Sequence, residues 1–481
     1  MISSPSAPRH VAIIGGGVSG LATAHFVARS ATPGLTVTLI EGAPTLGGKV
    51  VTRTLAGVPV DTGPDAFLAR APELAALVAD LGLADRVRGP LASGAYIWSR
   101  NHLRPLPPGA MFGIPEKLWP LLKSGLLSPW GVLRAAGDFV LPQTKTGADP
   151  SVAELTRPRF GAEVFDRMIQ PLLGGVHAGD ANLLSAKSTV PEIAGLATKN
   201  RSLYLGIRSW RKKMAAANPN PGAKPKPPLV TIDGGLGQLI KSMAMQLGDT
   251  NVRTATTVTA VARTSAGYEL ALSDGTQLLA DEVVLATPAY RTADLIAGFV
   301  PSAAELLRGI AYVDVASVTM AFDKSAVGEL PNGTGFLMPP AEHEFIVGVS
   351  WLSAKWAHVA DDTHQVFRVL VGRSGDSRWV DMTDEQIVAT VRADLERIQG
   401  ITAEPRELVV QRWPQGMPQY TVGHSDRLAA LDAALLDTPG LHLTGAAYRG
   451  VGLAGCVAQA RALATTLTTE VSAPAKEGAD R

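Results

Sequence analysis

At 481 residues the chain is too long for one ordinary core, so two or three lobes are expected. Hydrophobic residues make up 46% and charged residues 18%, as in globular proteins, and a formal net charge of +1 argues against nucleic acid as a partner. The single cysteine, Cys456, excludes an internal disulfide and fits a reducing cytoplasm, while the absence of an apolar run of about 18 residues argues against a transmembrane span and leaves peripheral membrane contact open.

Residues 11–14 (VAII) are wholly apolar, the pattern of a strand buried on both faces of a parallel sheet. Gly15, Gly17 and Gly20 follow in G-x-G-x-x-G spacing, ahead of helix formers over residues 21–28. The first glycine permits the tight turn, the second lets backbone approach a pyrophosphate, and the third lets helix pack on strand. The helix start then presents unpaired N–H groups and a partial positive charge to phosphates. This early glycine loop stands where a signal peptide would need an apolar h-region. Residues 35–40 (LTVTLI) read as a second strand ending at Glu41, 21 residues beyond Gly20. An acid at about that offset binds ribose hydroxyls, and it would repel the extra phosphate of NADP. An incidental glycine turn and a solvated strand end are the plainer alternatives. Loop, strand and spacing together favour the dinucleotide site.

Past Glu41 come Gly42, then LGGKV (residues 46–50) with Gly48 and Lys49, then DTGPDAFL (residues 61–68). A plain dehydrogenase would continue here into another strand–helix unit. The run E-x-x-x-x-x-G-G-K from Glu41 to Lys49 resembles the flavin-containing amine oxidase superfamily, and that resemblance implies FAD rather than NAD.

Residues 72–83 read as a helix with Leu74, Leu77, Val78 and Leu81 on one face. Residues 94–108 hold short strand-like pieces, and residues 115–141 are helical in pattern. Residues 144–150 look like a loop, and residues 151–173 read as helices on either side of a break at Pro158. RSWRKK (residues 208–213) reads as a solvated basic helix end, and residues 217–228 as a proline-rich surface loop. A strand, glycine turn and helix follow over residues 230–247. Alternation through residue 289, with turns at Gly267 and at Asp274–Gly275, predicts hairpins, then a buried strand over 282–289. Residues 345–351 and 365–372 read as antiparallel strands, and residues 384–399 as a helix with Asp384 and Glu385 at its start.

Near the end, residues 441–443 lead into TGAAYRGVGLAGCV (residues 444–457), a second strand–glycine loop–helix, with the helix expected over residues 457–467. FAD is long, and a second helix start can meet the far, flavin end of a cofactor whose pyrophosphate sits on the first. A helix N-terminus there stabilises developing negative charge by roughly 0.3–2 kcal/mol. An ordinary second helix packed on the sheet is the plainer alternative.

Three segments narrow the resemblance. GVHAGDANLLS (residues 175–185), WPQGMPQYTVGH (413–424) and YRGVGLAGC (448–456) resemble the oxygen-dependent protoporphyrinogen and coproporphyrinogen III oxidases, most of all the bacterial coproporphyrin branch. With GPDAF and the first loop, the likeness spans nearly the whole chain. It implies an α/β fold: an FAD-binding, Rossmann-like domain of amine-oxidase type assembled from residues 1–90, 229–290 and 408–470. A mainly helical subdomain facing substrate or membrane would span 91–228, a substrate-binding α+β domain with an antiparallel sheet 291–407, and a flexible tail 471–481. It implies oxidation of coproporphyrinogen III to coproporphyrin III in heme biosynthesis, with dioxygen as acceptor and hydrogen peroxide as by-product. The alternatives are protoporphyrinogen IX oxidation, another activity of the amine oxidase superfamily such as amine oxidation or desaturation, and porphyrin binding without turnover. Transient contact with a ferrochelatase is compatible with this reading, and oligomeric state is open.

By motif matching, Gly15, Gly16, Gly17, Val18, Ser19 and Gly20 would hold the pyrophosphate, and Glu41 with Gly42 the ribose. Gly48, Lys49, Gly63, Pro64, Asp65 and Ala66 would line the cofactor, and Val258 would face adenine unless it is a plain strand valine. Trp413 would sit by the flavin, with Val451, Gly452 and Leu453 closing the far side. No catalytic side chain is expected, since flavin N5 accepts the hydride, and no metal-ligand cluster stands out. Gly175, His177 and Arg449 are the substrate candidates, although a lone histidine, His177 or His424, is more often structural. Propionates call for arginine or lysine, and Arg70, Arg100, Lys199, Arg208 and Arg449 are available. Residues 95–98, 174–179 and 336–338 are candidates for the lining of the substrate cavity. Asp65 departs from mitochondrial-type relatives, which carry a basic residue there.

Overall fold

A computed structural model describes residues 8–115, 117–143, 146–216 and 227–469. The proline-rich stretch 217–226, the first two residues of the loop expected over 144–150, and the tail from 470 lie outside the described residues.

The apolar run near the start forms the strand Arg9–Ile14 at the centre of a five-stranded parallel sheet. Across the sheet the order is Asn251–Arg253, Leu35–Ile40, Arg9–Ile14, Glu282–Leu285 and Leu441–Leu443. Val11, Ala12 and Ile13 are fully buried: Val11 and Ile13 face the helices Val18–Ser30 and Leu453–Thr469, and Ala12 faces the antiparallel hairpins over 258–280 and the helix Ala289–Ile296. The helices Val18–Ser30 and Leu453–Thr469 share one core: Leu21, Ala22 and Ala24 pack with Val457, Ala460 and Ala464. Each fully buried leucine here contributes on the order of 1.5–3 kcal/mol relative to exposure. The second helix starts at Leu453, four residues earlier than the sequence predicts.

A seven-stranded sheet lies in the rest of the chain. Its order is Glu407–Pro418, Tyr312–Asp323, His364–Val371, Ile346–Trp351, Gly335–Leu337, Tyr96–Ser99 and His102–Pro105. It therefore draws strands from three of the sequence stretches set apart above. Pairing is antiparallel except between Gly335–Leu337 and Tyr96–Ser99. The predicted hairpins form over residues 258–280, and the helix Asp384–Gln399 starts with a capping box between Thr383 and Gln386.

One helix expectation needs correction. The helix Val152–Phe160 runs through Pro158 and stops at Gly161, whose φ of 85° is left-handed. A proline this late forfeits one backbone bond in a helix about to end. Arg134 also donates to the Pro158 and Arg159 carbonyls at 2.6 and 2.8 Å, satisfying acceptors of the last turn. Among the described residues no helix is long and apolar enough to cross a membrane.

Candidate cofactor site

The carboxyl ends of the parallel strands are where a ligand crevice is expected in such a sheet. Gly15 follows Ile14 and donates its N–H to Ile40 at 2.8 Å, and Thr444 follows Leu443 and donates to Leu285 at 3.1 Å. Both glycine loops thus leave the same edge. The opposite edge carries a depression of about 340 Å³ lined by Arg263, Tyr268 and Glu282 among others, which holds none of the predicted residues.

The glycines of the first loop divide by what surrounds them. Gly15 has φ 108°, and a Cβ there would stand 2.9 Å from the Ala286 carbonyl oxygen. A Cβ on Gly20 would stand 1.9 Å from the Gly15 carbonyl oxygen, so helix and loop touch directly. Gly17 is different. Its φ of −68° and ψ of 178° suit any residue, and a Cβ there would meet nothing within 4 Å. Protein packing does not require glycine at this position; a ligand laid against the helix start would. Gly452, on the second loop, likewise faces open space.

The predicted ribose acid sits beside this helix start. Glu41 accepts the N–H of Gly16 at 2.6 Å and of Ala43 at 2.7 Å, which fixes its carboxylate. Gly42 lies against Thr257, with a Cβ 3.0 Å from its hydroxyl. Val258 packs its side chain with Ile14 and Ile40 in the core. Gly47 pairs with Gly17 in parallel, and a Cβ on Gly48 would stand 3.1 Å from the Gly17 Cα. Val18 and Ser19 form the first turn of the helix.

The second loop meets the first through Cys456. Its thiol is buried, donates to the Gly450 carbonyl at 3.9 Å and lies near Ser19 and Lys49; burial pushes its pKa up. Lys49 reaches solvent, yet enough protein surrounds its ammonium to pull its pKa down, with Cys456 opposing. Further along, a Cβ on Gly63 would stand 2.0 Å from the Lys49 carbonyl oxygen and 3.6 Å from Cζ2 of Trp413. Trp413 is half-buried on the strand Glu407–Pro418, and Val451 is half-buried beside Gly452, with Leu453 buried in the core behind. Loop 15–20, segment 47–50, turn 63–66, Trp413 and loop 450–453 thus form one chain of neighbours.

Within that chain Asp65 does something the sequence does not reveal. Its buried carboxylate accepts Lys355 Nζ at 2.8 Å, Trp356 Nε1 at 2.8 Å and Arg368 Nη2 at 3.0 Å. Burial alone would raise its pKa, but Arg368 and Lys355 hold it well below the usual carboxylate range. Arg368 also donates to the Asp61 carbonyl at 3.1 Å and to that of Gly63. The Asp65 side chain is thus committed to protein partners, and it anchors the 61–66 turn with half-buried Pro64 and Ala66. Lys355, Trp356 and Arg368 were missed because they lie about 300 residues along the chain in segments with no motif. Asp61, also buried, accepts the Leu236 N–H at 3.0 Å, and desolvation raises its pKa to about 6.

The substrate candidates scatter. Gly175 presses on Leu337, with a Cβ 2.8 Å from Cδ2. Leu337 in turn pairs with Ile97, so the three stretches predicted as cavity lining are contiguous. His177 is buried at the end of the helix Gln170–His177, and its carbonyl accepts Gln419 Nε2 at 2.9 Å. Arg449 is 54% exposed and bound to Asp432 at 2.5 Å, a surface ion pair. Arg70 and Arg100 face Glu192 and Glu163, while Lys199 and Arg208 are exposed. Two of the motif segments touch: Ser185 donates to the Tyr420 carbonyl at 2.8 Å and Val422 to that of Leu183 at 3.0 Å.

Burial lowers the His177 pKa to about 4, against an ordinary 6.5. As pH falls from about 6.5 toward 4 the unfolded chain takes up a proton that the folded one refuses, so stability drops over that window and is flat above it. The full span corresponds to about 3 kcal/mol. His177→Gln should flatten that part of the urea-midpoint profile; an unchanged profile would remove His177 as its source.

The family described as Flavin containing amine oxidoreductase matches residues 18–468. Coproporphyrinogen III oxidase of Bacillus subtilis (strain 168) is 36% identical over 465 residues, covering 96% of this chain and 98% of that protein. Protoporphyrinogen oxidase 1, chloroplastic, of Arabidopsis thaliana is 30% identical over 472 residues, covering 92% of this chain and 85% of that protein. A solved structure from Exiguobacterium sp. 255-15 superposes with a TM-score of 0.86 at 32% identity, covering 97% of this chain and all of that one.

Proposed function

We propose that this chain, which belongs to the Flavin containing amine oxidoreductase family, oxidises coproporphyrinogen III to coproporphyrin III with FAD as its cofactor. It is a flavin-dependent oxidoreductase, and the finer assignment rests on its near-full-length likeness to enzymes so named. One structural observation carries the cofactor part. Among the glycines of the two loops, Gly17 and Gly452 are the ones where a Cβ would meet nothing within 4 Å, and they sit at helix starts that approach each other near Ser19, Cys456 and Lys49. A cofactor spanning both explains why both stay bare.

When bound, the flavin supplies two-electron oxidation of the macrocycle, with dioxygen taking up the electrons as hydrogen peroxide, and three rounds complete the aromatic porphyrin. The protein's share is placement. N–H groups at the start of the helix Val18–Ser30 receive the pyrophosphate. Glu41, held by the N–H groups of Gly16 and Ala43, offers its remaining acceptor capacity to the ribose. Lys49 adds positive charge in the cleft, and the start of the helix Leu453–Thr469 favours negative charge at the flavin end. Pyrrolic protons leave to solvent, so no general base is required. With a single cysteine and no internal disulfide, the proposal extends to the cytoplasm as working compartment.

Aerobic assay of the purified protein tests this. Coproporphyrinogen III should yield peroxide and a Soret-absorbing product, faster than protoporphyrinogen IX does in the same preparation. Faster turnover of protoporphyrinogen would move the assignment to that substrate, and turnover of amines alone would overturn the porphyrinogen reading.

A further inference from the structure

The segment PQYTVGH contributes two side chains, Tyr420 and His424, that the cofactor reading leaves without a task. The Tyr420 hydroxyl donates to the Ala446 carbonyl at 2.7 Å and accepts the Gly450 N–H at 2.9 Å. Those two backbone groups are four residues apart, the pair that would bond directly in a turn of α-helix. The hydroxyl stands between them, as an inserted water does where a helical ladder opens. Turn 446–450 therefore stays open, and the helix begins only at Leu453. Gly450 has φ 126°, and its Cα packs against Gly455, so the opened turn doubles back on the helix start.

The tyrosine is itself fixed from three sides. Its phenol is 4% exposed, and burial raises its pKa, so the proton given to Ala446 stays in place. Its ring stacks on His424 with centroids 4.1 Å apart and planes at 13°. His424 Nε2 donates at 3.0 Å to the carbonyl of Tyr448, in the middle of the same turn. The Tyr420 carbonyl accepts the Ser185 N–H, which ties the assembly to the GVHAGDANLLS segment.

We propose that Tyr420 is a positioning residue: its hydroxyl, inserted between Ala446 and Gly450, holds the second glycine loop open and sets the backbone of Val451, Gly452 and Leu453 against the flavin. The first half concerns the protein alone; the second rests on the proposed function. Tyr420→Phe keeps the ring and its stack but removes both hydrogen bonds. The turn then either closes on a direct Gly450–Ala446 bond or loosens, and both displace residues 451–453.

Hydrogen–deuterium exchange by mass spectrometry on wild type and Tyr420→Phe, each with and without flavin, tests both halves. We expect peptides covering residues 446–453 to exchange at least tenfold faster in the flavin-free variant, with distant peptides unchanged. The same variant should bind flavin at least tenfold more weakly, and the midpoint potential of what it retains should fall as the reduced anion loses its aligned helix start. Unaltered exchange would overturn the inserted hydroxyl. Faster exchange with unaltered flavin affinity and potential would overturn the positioning role. If Tyr420→Phe does not fold, His424→Phe serves instead: it keeps a stacked ring but loses the bond to Tyr448. It should raise exchange in the same peptides, and a change below twofold overturns the brace. Wild-type protein that neither carries nor takes up flavin would defeat the proposed function while leaving the exchange result standing.

Discussion

Gly17→Asp should give a folded protein without yellow colour. The substitution meets no steric objection, since the backbone at Gly17 is extended and a Cβ has nothing within 4 Å. Gly17 is also the N-cap of the helix Val18–Ser30, where aspartate is among the favoured residues and glycine only slightly less so, so the flavin-free protein should gain about a few tenths of a kcal/mol. For a bound dinucleotide the effect is opposite. A carboxylate about 4 Å from a pyrophosphate charge costs roughly 4 kcal/mol at an effective dielectric of about 20, close to a thousandfold in affinity. Flavin absorbance per protein and the urea midpoint of the flavin-free form measure the two effects separately. Full flavin content in the variant would remove the first loop from the cofactor site. Gly20→Ala is the contrasting control: its Cβ would stand 1.9 Å from the Gly15 carbonyl oxygen, and it should damage folding itself.

Asp65→Asn should destabilise the protein by about 3–5 kcal/mol, because it leaves the buried Arg368 and the half-buried Lys355 without their anion. The pH dependence identifies the source. The folded-state pKa of Asp65 lies below its unfolded value of 3.8. Its contribution is therefore complete well above that value and fades as pH falls below it. Wild type and variant should differ most near neutrality and converge in acid. Denaturant midpoints at pH 7 and about pH 2 check this, and a loss under about 1 kcal/mol at pH 7 would contradict the ion-pair account. Because Arg368 also holds the carbonyls of Asp61 and Gly63, the variant should retain flavin less well.

How far the site was legible depended on how local each part was. The first glycine loop could be read residue by residue, because strand, turn and helix start are one continuous stretch with fixed spacing. Gly15 and Gly20 are required by close backbone contacts, to Ala286 and to Gly15 itself. The second loop was legible for the same reason. Pro158 misled because a helix break is usually placed at proline, whereas Arg134, from another segment, caps the carbonyls that proline leaves near the helix end. Val258 was assigned by likeness to the family, and Arg449 as one of several cations available for propionates. The fold turns the first side chain into the core and commits the second to Asp432.

From the sequence alone came the parallel-sheet strands, both glycine turns and the acid at Glu41, since each follows from hydrophobic period, backbone dihedrals or spacing along a few residues. Only the tertiary structure decided that Cys456 lies between Ser19 and Lys49, that Tyr420 enters the 446–450 turn, and that Asp65 collects Lys355, Trp356 and Arg368. Such contacts join residues tens to hundreds of positions apart. Which pairs meet is settled by strand order and helix packing, and no local periodicity encodes them.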